Sequence, residues 1–409
     1  MFQPFAVKNF RYQWLADLAT SWAFEMETLV LGWYVYVTTG SVLLLTILGS
    51  LLFIGTLLSP FVGVGADRIG HRNILCGMRC IYFILSLVMV AAILFDALTP
   101  AIALGVAFLM GLVRPSDIGM RTSLVATTIP AQLLVGAMSV SRTTSDSARI
   151  FGALTGSGLF AVVGIGVTYG AIAMLYLLGL IMTLLIDSRV SDLPVRATAD
   201  KDRSPWRDLI DGLGYVWSTP HLQAAMWLAF LVNLTAFPLT IGLLPYVAKE
   251  IYGSGETGLG FLIASFSLGA LIGSLALSVF GQRVQSARMM VIFAAAWHGC
   301  LLVFAFTQTL LVGCLVLAFA GLAQSLCVVP MSIMLMRTSS PVYRGRVMGV
   351  RMLAIYGLPI GLVIAGTLIE MVGFQVAMTA YMVTGIICTL LILLRWKRDL
   401  WPATAPGNG

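Results

Sequence analysis

Residues 74–95 read ILCGMRCIYFILSLVMVAAILF, an apolar run of the length that an α-helix needs to cross a lipid bilayer. A charged turn at 65–72 precedes this run, and a polar stretch that begins at Asp96 follows it. None of the apolar runs shows the period-2 alternation of a membrane β-barrel. The pattern predicts an all-α membrane protein with twelve transmembrane helices, at about 13–36, 42–65, 74–95, 99–124, 135–163, 167–187, 223–247, 257–281, 289–307, 309–336, 344–372 and 375–394.

The composition excludes several other classes of protein. Of the 409 residues, 59% are hydrophobic and only 10% are charged, too few charges for a water-facing surface. The net charge of +7 does not indicate nucleic-acid binding, because the basic residues lie in short loops between apolar runs. The chain has no H-E-x-x-H, G-x-S-x-G or P-loop motif and only three histidines, so we expect neither an enzyme nor a cofactor nor a metal site. The six cysteines lack C-x-x-C spacing and are expected to be free thiols.

The distribution of lysine and arginine predicts the orientation in the membrane. Alternate loops are rich in these residues, whereas the loops on the opposite side hold only Lys249. Since basic loops remain in the cytoplasm, we expect a multi-pass protein of the plasma (inner) membrane with both termini cytoplasmic. The basic positions are Lys8, Arg11, Arg68, Arg72, Arg121, Arg189 to Arg207, Arg283, Arg288, Arg337 to Arg346 and Arg395 to Arg398.

Reporter fusions will test this topology. A fusion at residue 254 should report an external location, and fusions at residues 200 and 403 should report a cytoplasmic one. An external signal at residue 200 would contradict the whole assignment.

The spans divide into two predicted bundles. We expect an N-terminal six-helix bundle at 1–187, a cytoplasmic linker at 188–222, a C-terminal six-helix bundle at 223–398 and a cytoplasmic tail at 399–409. Within the linker, Ser204 and Pro205 are a suitable N-cap and first residue of a helix. Apolar residues then follow at helical spacing, which predicts an amphipathic helix either on the inner membrane face or packed on protein: Trp206, Leu209, Ile210, Leu213, Val216 and Trp217.

The two predicted bundles share local sequence patterns. The inner loop GADRIGHR at 65–72 has a degraded counterpart, GQRVQSAR, at 281–288. A six-helix unit repeated in the same orientation is typical of two-bundle transporters that bind substrate near the membrane midplane. Three spans also carry close glycine pairs, which let helix backbones approach each other: Gly152 and Gly156, Gly269 and Gly273, and Gly357 and Gly361.

The run GVGADRIGHR at 63–72 resembles the inner-loop signature of the major facilitator superfamily, G-x-x-x-D-R-x-G-R-R, with His71 in place of an arginine. In that family the motif forms a latch in the outward-facing state. The resemblance implies a gate built from Gly63, Asp67, Arg68, Gly70 and Arg72.

If Asp67 belongs to such a gate, Asp67→Asn should leave the protein in the membrane and remove most of its transport. Unchanged export at a normal expression level would contradict the gate role. Topology-setting charge alone is the alternative explanation of the motif.

The similarity covers nearly the whole chain and points to the branch that includes siderophore and macrolide exporters. The stretch RTSLVATTIPAQLLVGAMSVSRTTSDSARIFGALTGSG at 121–158 resembles the most distinctive part of that branch. Arg114 lies where the family keeps an intramembrane arginine, and Arg344 and Arg346 lie in a loop that resembles the one before helix eleven. Helix five departs from the antiporter signature, because it has Gly152-Ala153 in place of glycine-proline.

Charged residues inside the spans are candidates for function, since an ionised group at a helix centre costs about 2.5–3.5 kcal/mol to insert. Glu25 and Glu27 lie near the middle of the first span and cannot both face the same way on a helix. Span four offers Asp117 between Arg114 and Arg121, and span five offers the similarly spaced Arg142, Asp146 and Arg149; both sets are interpreted mainly as charge networks. Substrate is expected between the bundles, lined by helices one, four, seven and ten. The candidates for proton coupling or substrate binding are Glu27, Glu25, Arg114, Asp117, Asn233 and Gln324.

The expected function is secondary active transport by alternating access, as a proton-coupled exporter of an amphipathic organic compound. Protonation of Glu27, somewhat favoured over Glu25, would supply the coupling. The expected partners are a small-molecule substrate, protons and membrane lipid, without nucleic acid, and a monomer is expected. The alternatives are an importer or a lysophospholipid flippase of the same fold, and a membrane receptor or assembly subunit that transports nothing.

Overall fold

The computed structural model of the chain describes residues 3–58, 62, 66, 69–187, 205–280, 285–340 and 343–401, and this part contains helices and no strands. A 3-10 turn at Gln3–Ala6 precedes the first helix, and a second one lies at Ile54–Leu58. The helices of the first half are α1 (Lys8–Thr39), α2 (Val42–Leu51), α3 (His71–Leu94), α4 (Pro100–Thr128) and α5 (Ala131–Leu184).

The second half has more and shorter helices, because two of the predicted spans are interrupted. A π-helical turn lies at Val247–Ile251. The helices are α6 (Pro205–Ser218), α7 (Pro220–Thr235), α8 (Phe237–Ile241), α9 (Leu244–Tyr246), α10 (Glu256–Phe280), α11 (Ser286–Phe304), α12 (Leu310–Thr338), α13 (Arg344–Ala354), α14 (Gly357–Val372), α15 (Phe374–Arg395) and α16 (Lys397–Leu400).

The helices have the length and the exposed apolar surface of a membrane protein. Within the described residues, eight helices are long and apolar enough to cross a membrane. Large apolar side chains point outward, among them Val162 and Leu311 at 83% and 72% exposure, as suits contact with lipid. The predicted all-α membrane class is confirmed, whereas the count of twelve spans stays a prediction.

Local sequence explains where several helices begin, turn and stop. The Thr99 hydroxyl accepts a hydrogen bond from the Ile102 amide, and Pro100 occupies the first turn of α4. Gly164, with φ 78°, separates two helical segments within α5, at the boundary predicted between spans five and six. The predicted span 344–372 is divided into α13 and α14 because Pro359 cannot donate a hydrogen bond to the Ile355 carbonyl.

The chain forms two compact units. Unit 1 comprises residues 1–201 and 244–264, and unit 2 comprises 202–243 and 265–409. Residues 244–264 thus group with the first half of the chain. The predicted domain boundaries at 187 and 223 stay a prediction.

Each predicted glycine pair lies at a close crossing of helices. In unit 1, Gly152 and Gly156 face Trp22, Glu25 and Met26 of α1. In unit 2, Gly269 and Gly273 face α12, and Gly357 and Gly361 face α7. A side chain at these positions would overlap backbone or side-chain atoms of the neighbouring helix, so the small residue permits the approach.

Gly269→Ala should therefore lower the stability of the protein, because the added Cβ would overlap the Ala318 carbonyl group. We expect a loss of about 1–3 kcal/mol, seen as a lower melting temperature of the purified protein in detergent. Gly299→Ala is the matched control, since no atom lies within 4 Å of its added Cβ. Equal melting temperatures of the two variants would contradict the crossing as the reason for this glycine.

The linker helix α6 packs on protein along one face. The Tyr215 ring stacks on Tyr343, with 4.3 Å between centroids and 10° between planes. Asp211 forms an ion pair of 3.7 Å with Arg346. On another face Ile210 is 64% exposed. Of the two arrangements expected for this helix, the structure shows contact with protein.

Candidate functional site

A polar cavity of about 380 Å³ lies inside unit 1, between helices α1, α3, α4 and α5. Its volume is within the range of small-molecule sites. The walls combine apolar side chains with acidic and basic ones, an unusual content for a membrane-spanning segment. The ionisable side chains at its wall are Asp17, Glu25, Tyr82, Arg114, Asp117, Arg121, Arg142, Asp146 and Arg149.

Asp17 of α1 is the acceptor for two arginines from different helices. Arg79 of α3, which is fully buried, donates to Asp17 and also to the Thr183 hydroxyl and the Gly179 carbonyl. Arg121 lies 3.6 Å from the same carboxylate oxygen. Arg79 therefore binds within unit 1, although a single arginine near the end of a span can also extend to the membrane surface.

The ion pairs of α4 and α5 agree only in part with the expected local networks. Asp117 pairs with Arg121 at 2.6 Å, and Arg142 pairs with Asp146 at 3.2 Å, both at the expected i, i+4 spacing. Arg149 instead reaches across to Glu25 of α1, with 3.5 Å between its Nε and the carboxylate oxygen. The local network predicted for α5 is thus incomplete, because the close crossing of α1 supplies a nearer carboxylate.

The two glutamates of α1 have different surroundings, as their separation of two residues requires. Glu25 lines the cavity. Glu27 is 1% exposed and accepts a hydrogen bond of 2.7 Å from the Tyr176 hydroxyl of α5. Its other oxygen, Oε1, is buried and has no hydrogen-bond partner in the described part of the chain. Glu27 can therefore exist as a neutral acid or as an anion held by a single hydrogen bond.

Two tyrosines lie between Glu27 and the cavity. Tyr82 of α3 lines the cavity, and its ring centroid is 5.5 Å from that of Tyr176. The Tyr82 hydroxyl is buried and has no hydrogen-bond partner among the described residues. Tyr82 and Tyr176 thus connect the cavity wall to the buried carboxylate through a ring contact and a single hydrogen bond.

Arg114 of α4 is held by aromatic rings. Its guanidinium carbon lies 3.0 Å from the ring centroid of Phe24 and 5.7 Å from that of Phe53. Stacking of this kind is favourable for arginine. No carboxylate in the described part of the chain is within ion-pair distance of Arg114, although Asp117 is three residues away on the same helix.

The remaining predicted candidates lie in unit 2 and do not gather into a site there. The Asn233 amide donates to the Ala229 carbonyl of its own helix, at 2.8 Å, and Gln324 is half-buried. Arg344 is exposed, whereas Arg346 is part of the contact with α6. His298 is buried and hydrogen bonds with Thr235 and the Ala294 carbonyl, as expected of a packed histidine.

The gate motif is described only in part. Gly63, Asp67 and Arg68 lie outside the described residues. Gly70 has φ 93° and precedes the first residue of α3, so a glycine suits this turn. The Arg72 side chain donates a hydrogen bond of 2.6 Å to the Leu184 carbonyl.

In the described part of the chain no group of acidic, histidine and cysteine residues could hold a metal ion. All six cysteines are free thiols.

The sequence analysis did not identify Asp17, Tyr82 and Tyr176 as site residues. Asp17 was detectable as a further charge inside the first span, but nothing in the sequence marked the two tyrosines.

Comparison with known proteins agrees with this architecture. A family model described as transmembrane secretion effector matches residues 1–405. The multidrug efflux pump Tap of Mycolicibacterium fortuitum is 28% identical over 194 residues, a match that covers 46% of this chain and 46% of Tap. This chain is thus matched to about half the length of that relative.

Solved transporter structures share the fold. The nucleoside transporter NupG has a TM-score of 0.75 at 15% identity, over 95% of this chain and 99% of that one. A D-xylose–proton symporter has a TM-score of 0.71 at 12% identity, over 93% and 96%. The family and these neighbours are transporters, which are not enzymes. The chain therefore belongs to the transmembrane secretion effector family of the major facilitator superfamily, and it is a multi-pass membrane protein.

Proposed function

We propose that this transporter exports an amphipathic organic compound and that proton movement drives the export by alternating access. The cavity of unit 1 forms part of the substrate site, because it joins apolar side chains such as Phe24, Ile118 and Met138 to charged ones. The multidrug efflux pump among its relatives is consistent with outward transport.

The observation that carries the proposal is that the Glu27 carboxylate is buried and has one hydrogen bond. A carboxylate in a low-dielectric site favours its neutral form, and a nearby cation or water favours the charged form. Glu27 is buried, with one oxygen bonded to Tyr176 and the other without a partner. Opening of the site to one side of the membrane would wet this carboxylate and release its proton, and closure would favour uptake again.

The same reasoning assigns roles to the other charges. The Asp17–Arg121 pair joins α1 to α4, and the Glu25–Arg149 pair joins α1 to α5. The Asp117–Arg121 and Arg142–Asp146 pairs each lie within one helix. Glu27 and Tyr176 carry the proton. Asn233 and Gln324 remain candidates for substrate binding by unit 2, and the gate motif at 63–72 controls opening. The protein acts as a monomer in the plasma (inner) membrane, with both termini in the cytoplasm.

Proteoliposomes with an imposed pH gradient test the direction and the coupling. The purified protein is reconstituted, and vesicles whose cytoplasmic face is outward are made acidic inside. Amphipathic fluorescent compounds of positive, zero and negative charge are then added outside. We expect accumulation of at least one compound, and its loss when nigericin removes the gradient. Accumulation that is unaffected by nigericin would contradict proton coupling, and transport only in the opposite direction would contradict export.

A further inference from the structure

We propose that Arg114 binds an acidic group of the substrate, so that the exported compounds are amphipathic organic anions such as carboxylic acids. This inference rests on the proposed function and adds the chemical class of the substrate. It is based on the ion pairs in the cavity of unit 1, which involve some of the charged side chains and not others.

Every carboxylate at the wall of this cavity has an arginine. Asp17 pairs with Arg79 and Arg121, and Asp117 pairs with Arg121. Asp146 pairs with Arg142, and Glu25 pairs with Arg149. Within the described residues, every carboxylate at the cavity wall thus has a basic partner. None is left to pair with a cationic ligand.

Arg114 is the exception among the arginines at the wall. In the described part of the chain it forms no ion pair, and Phe24 and Phe53 supply its contacts instead. Glu25 and Glu27 attract this guanidinium group only from beyond ion-pair distance, so the desolvation of its charge in a membrane-spanning segment is offset only in part. An anionic ligand would supply a directly bonded counter-charge.

The contacts of Arg114 are compatible with binding of an oxyanion. The Phe24 and Phe53 rings offer no oxygen or nitrogen acceptor, so their contacts do not place the guanidinium N–H donors in conventional hydrogen bonds. A carboxylate can accept two parallel hydrogen bonds from a guanidinium group. The apolar part of the ligand can then contact Phe24, Ile118, Val125 and Met138, which line the same cavity.

The size of the cavity limits the ligand. A volume of about 380 Å³ accommodates a molecule with one or two rings and a short acidic arm. Dansylglycine has this form, and its methyl ester and dansylcadaverine provide neutral and cationic counterparts with the same fluorophore. These three compounds can separate the effect of charge from that of apolar surface.

The experiment is equilibrium binding of these three probes to the purified full-length protein, followed by dansyl fluorescence. For the wild-type protein we expect dansylglycine to bind about tenfold or more tightly than either counterpart, since a charge-assisted hydrogen bond is stronger than a neutral one. Arg114→Gln should weaken dansylglycine binding by a similar factor and leave the methyl ester unchanged. Arg114→Lys should keep part of the preference, because it keeps the charge and loses the planar fork.

Arg395→Gln is the control for net charge, because Arg395 lies at the end of α15 in unit 2, beside Trp396. It should bind dansylglycine as the wild-type protein does. If Arg114→Gln does not fold, binding of the three probes to the wild-type protein and to Arg114→Lys still tests the inference. Equal or tighter binding of the ester or of dansylcadaverine, or no binding of dansylglycine, would overturn the inference. Nigericin-sensitive export of a cationic compound would support the proposed function and contradict the anionic substrate, so the two failures are distinguishable.

Discussion

Glu27→Gln should abolish proton movement coupled to substrate, and we expect the variant to remain folded in the membrane. Glutamine has nearly the same shape as glutamate, and its carbonyl oxygen can accept the hydrogen bond from the Tyr176 hydroxyl. Glutamine does not titrate, so it cannot take up and release a proton as glutamate does. The expected effect is therefore large on coupling and small on stability. A pH-sensitive dye inside proteoliposomes measures the proton flux that follows addition of substrate.

Two further variants make this test specific. Glu25→Gln changes the other carboxylate of α1, which already has Arg149 as a partner, and should retain proton flux. Glu370→Gln removes an exposed carboxylate in α14 of unit 2 and serves as the control for charge. Proton flux that is equal in the wild-type protein, Glu27→Gln and Glu25→Gln would exclude a coupling role for either glutamate of α1.

Asp17→Asn should destabilise the protein strongly. Arg79 is fully buried, so loss of the Asp17 carboxylate leaves a buried positive charge without its counter-ion. Breaking one side of a buried ion pair in this way costs about 3–5 kcal/mol. The melting temperature of the purified protein in detergent measures the effect, and a reduced yield of folded protein would accompany it.

Asp146→Asn is the matched control, because its partner Arg142 is 68% exposed and can be hydrated when the pair is broken. Because the arginine of this pair is hydrated, we expect a loss similar to that of a surface pair, about 0–1 kcal/mol. The double variant Asp17→Asn with Arg79→Gln should recover part of the loss, because it removes the unpaired charge. Equal melting temperatures for Asp17→Asn and Asp146→Asn would show that Arg79 does not depend on Asp17.

The sequence by itself determined the class of the protein and most of its helices. Hydropathy over about 20 residues reflects the thickness of the bilayer, so the spans could be predicted without any contact between them. The boundary predicted between residues 163 and 167 contains Gly164, where α5 turns. The predicted glycine pairs that include Gly152 and Gly269 lie at close crossings. Each of these features depends on a single residue type and its immediate neighbours.

The partners of the charged residues were decided by the tertiary structure. Helical periodicity predicts neighbours three or four residues apart, and it identified the pairs of Arg121 and Arg142. It could not identify the contact of Arg79 with Asp17, 62 residues away, or of Tyr176 with Glu27, 149 residues away. Such partners depend on which helix faces are packed together. That packing gives Arg149 a carboxylate from another helix. Among the described residues, it leaves Arg114 with no carboxylate within ion-pair distance, since a charge pairs with an opposite charge that is close in space, whatever its distance along the chain.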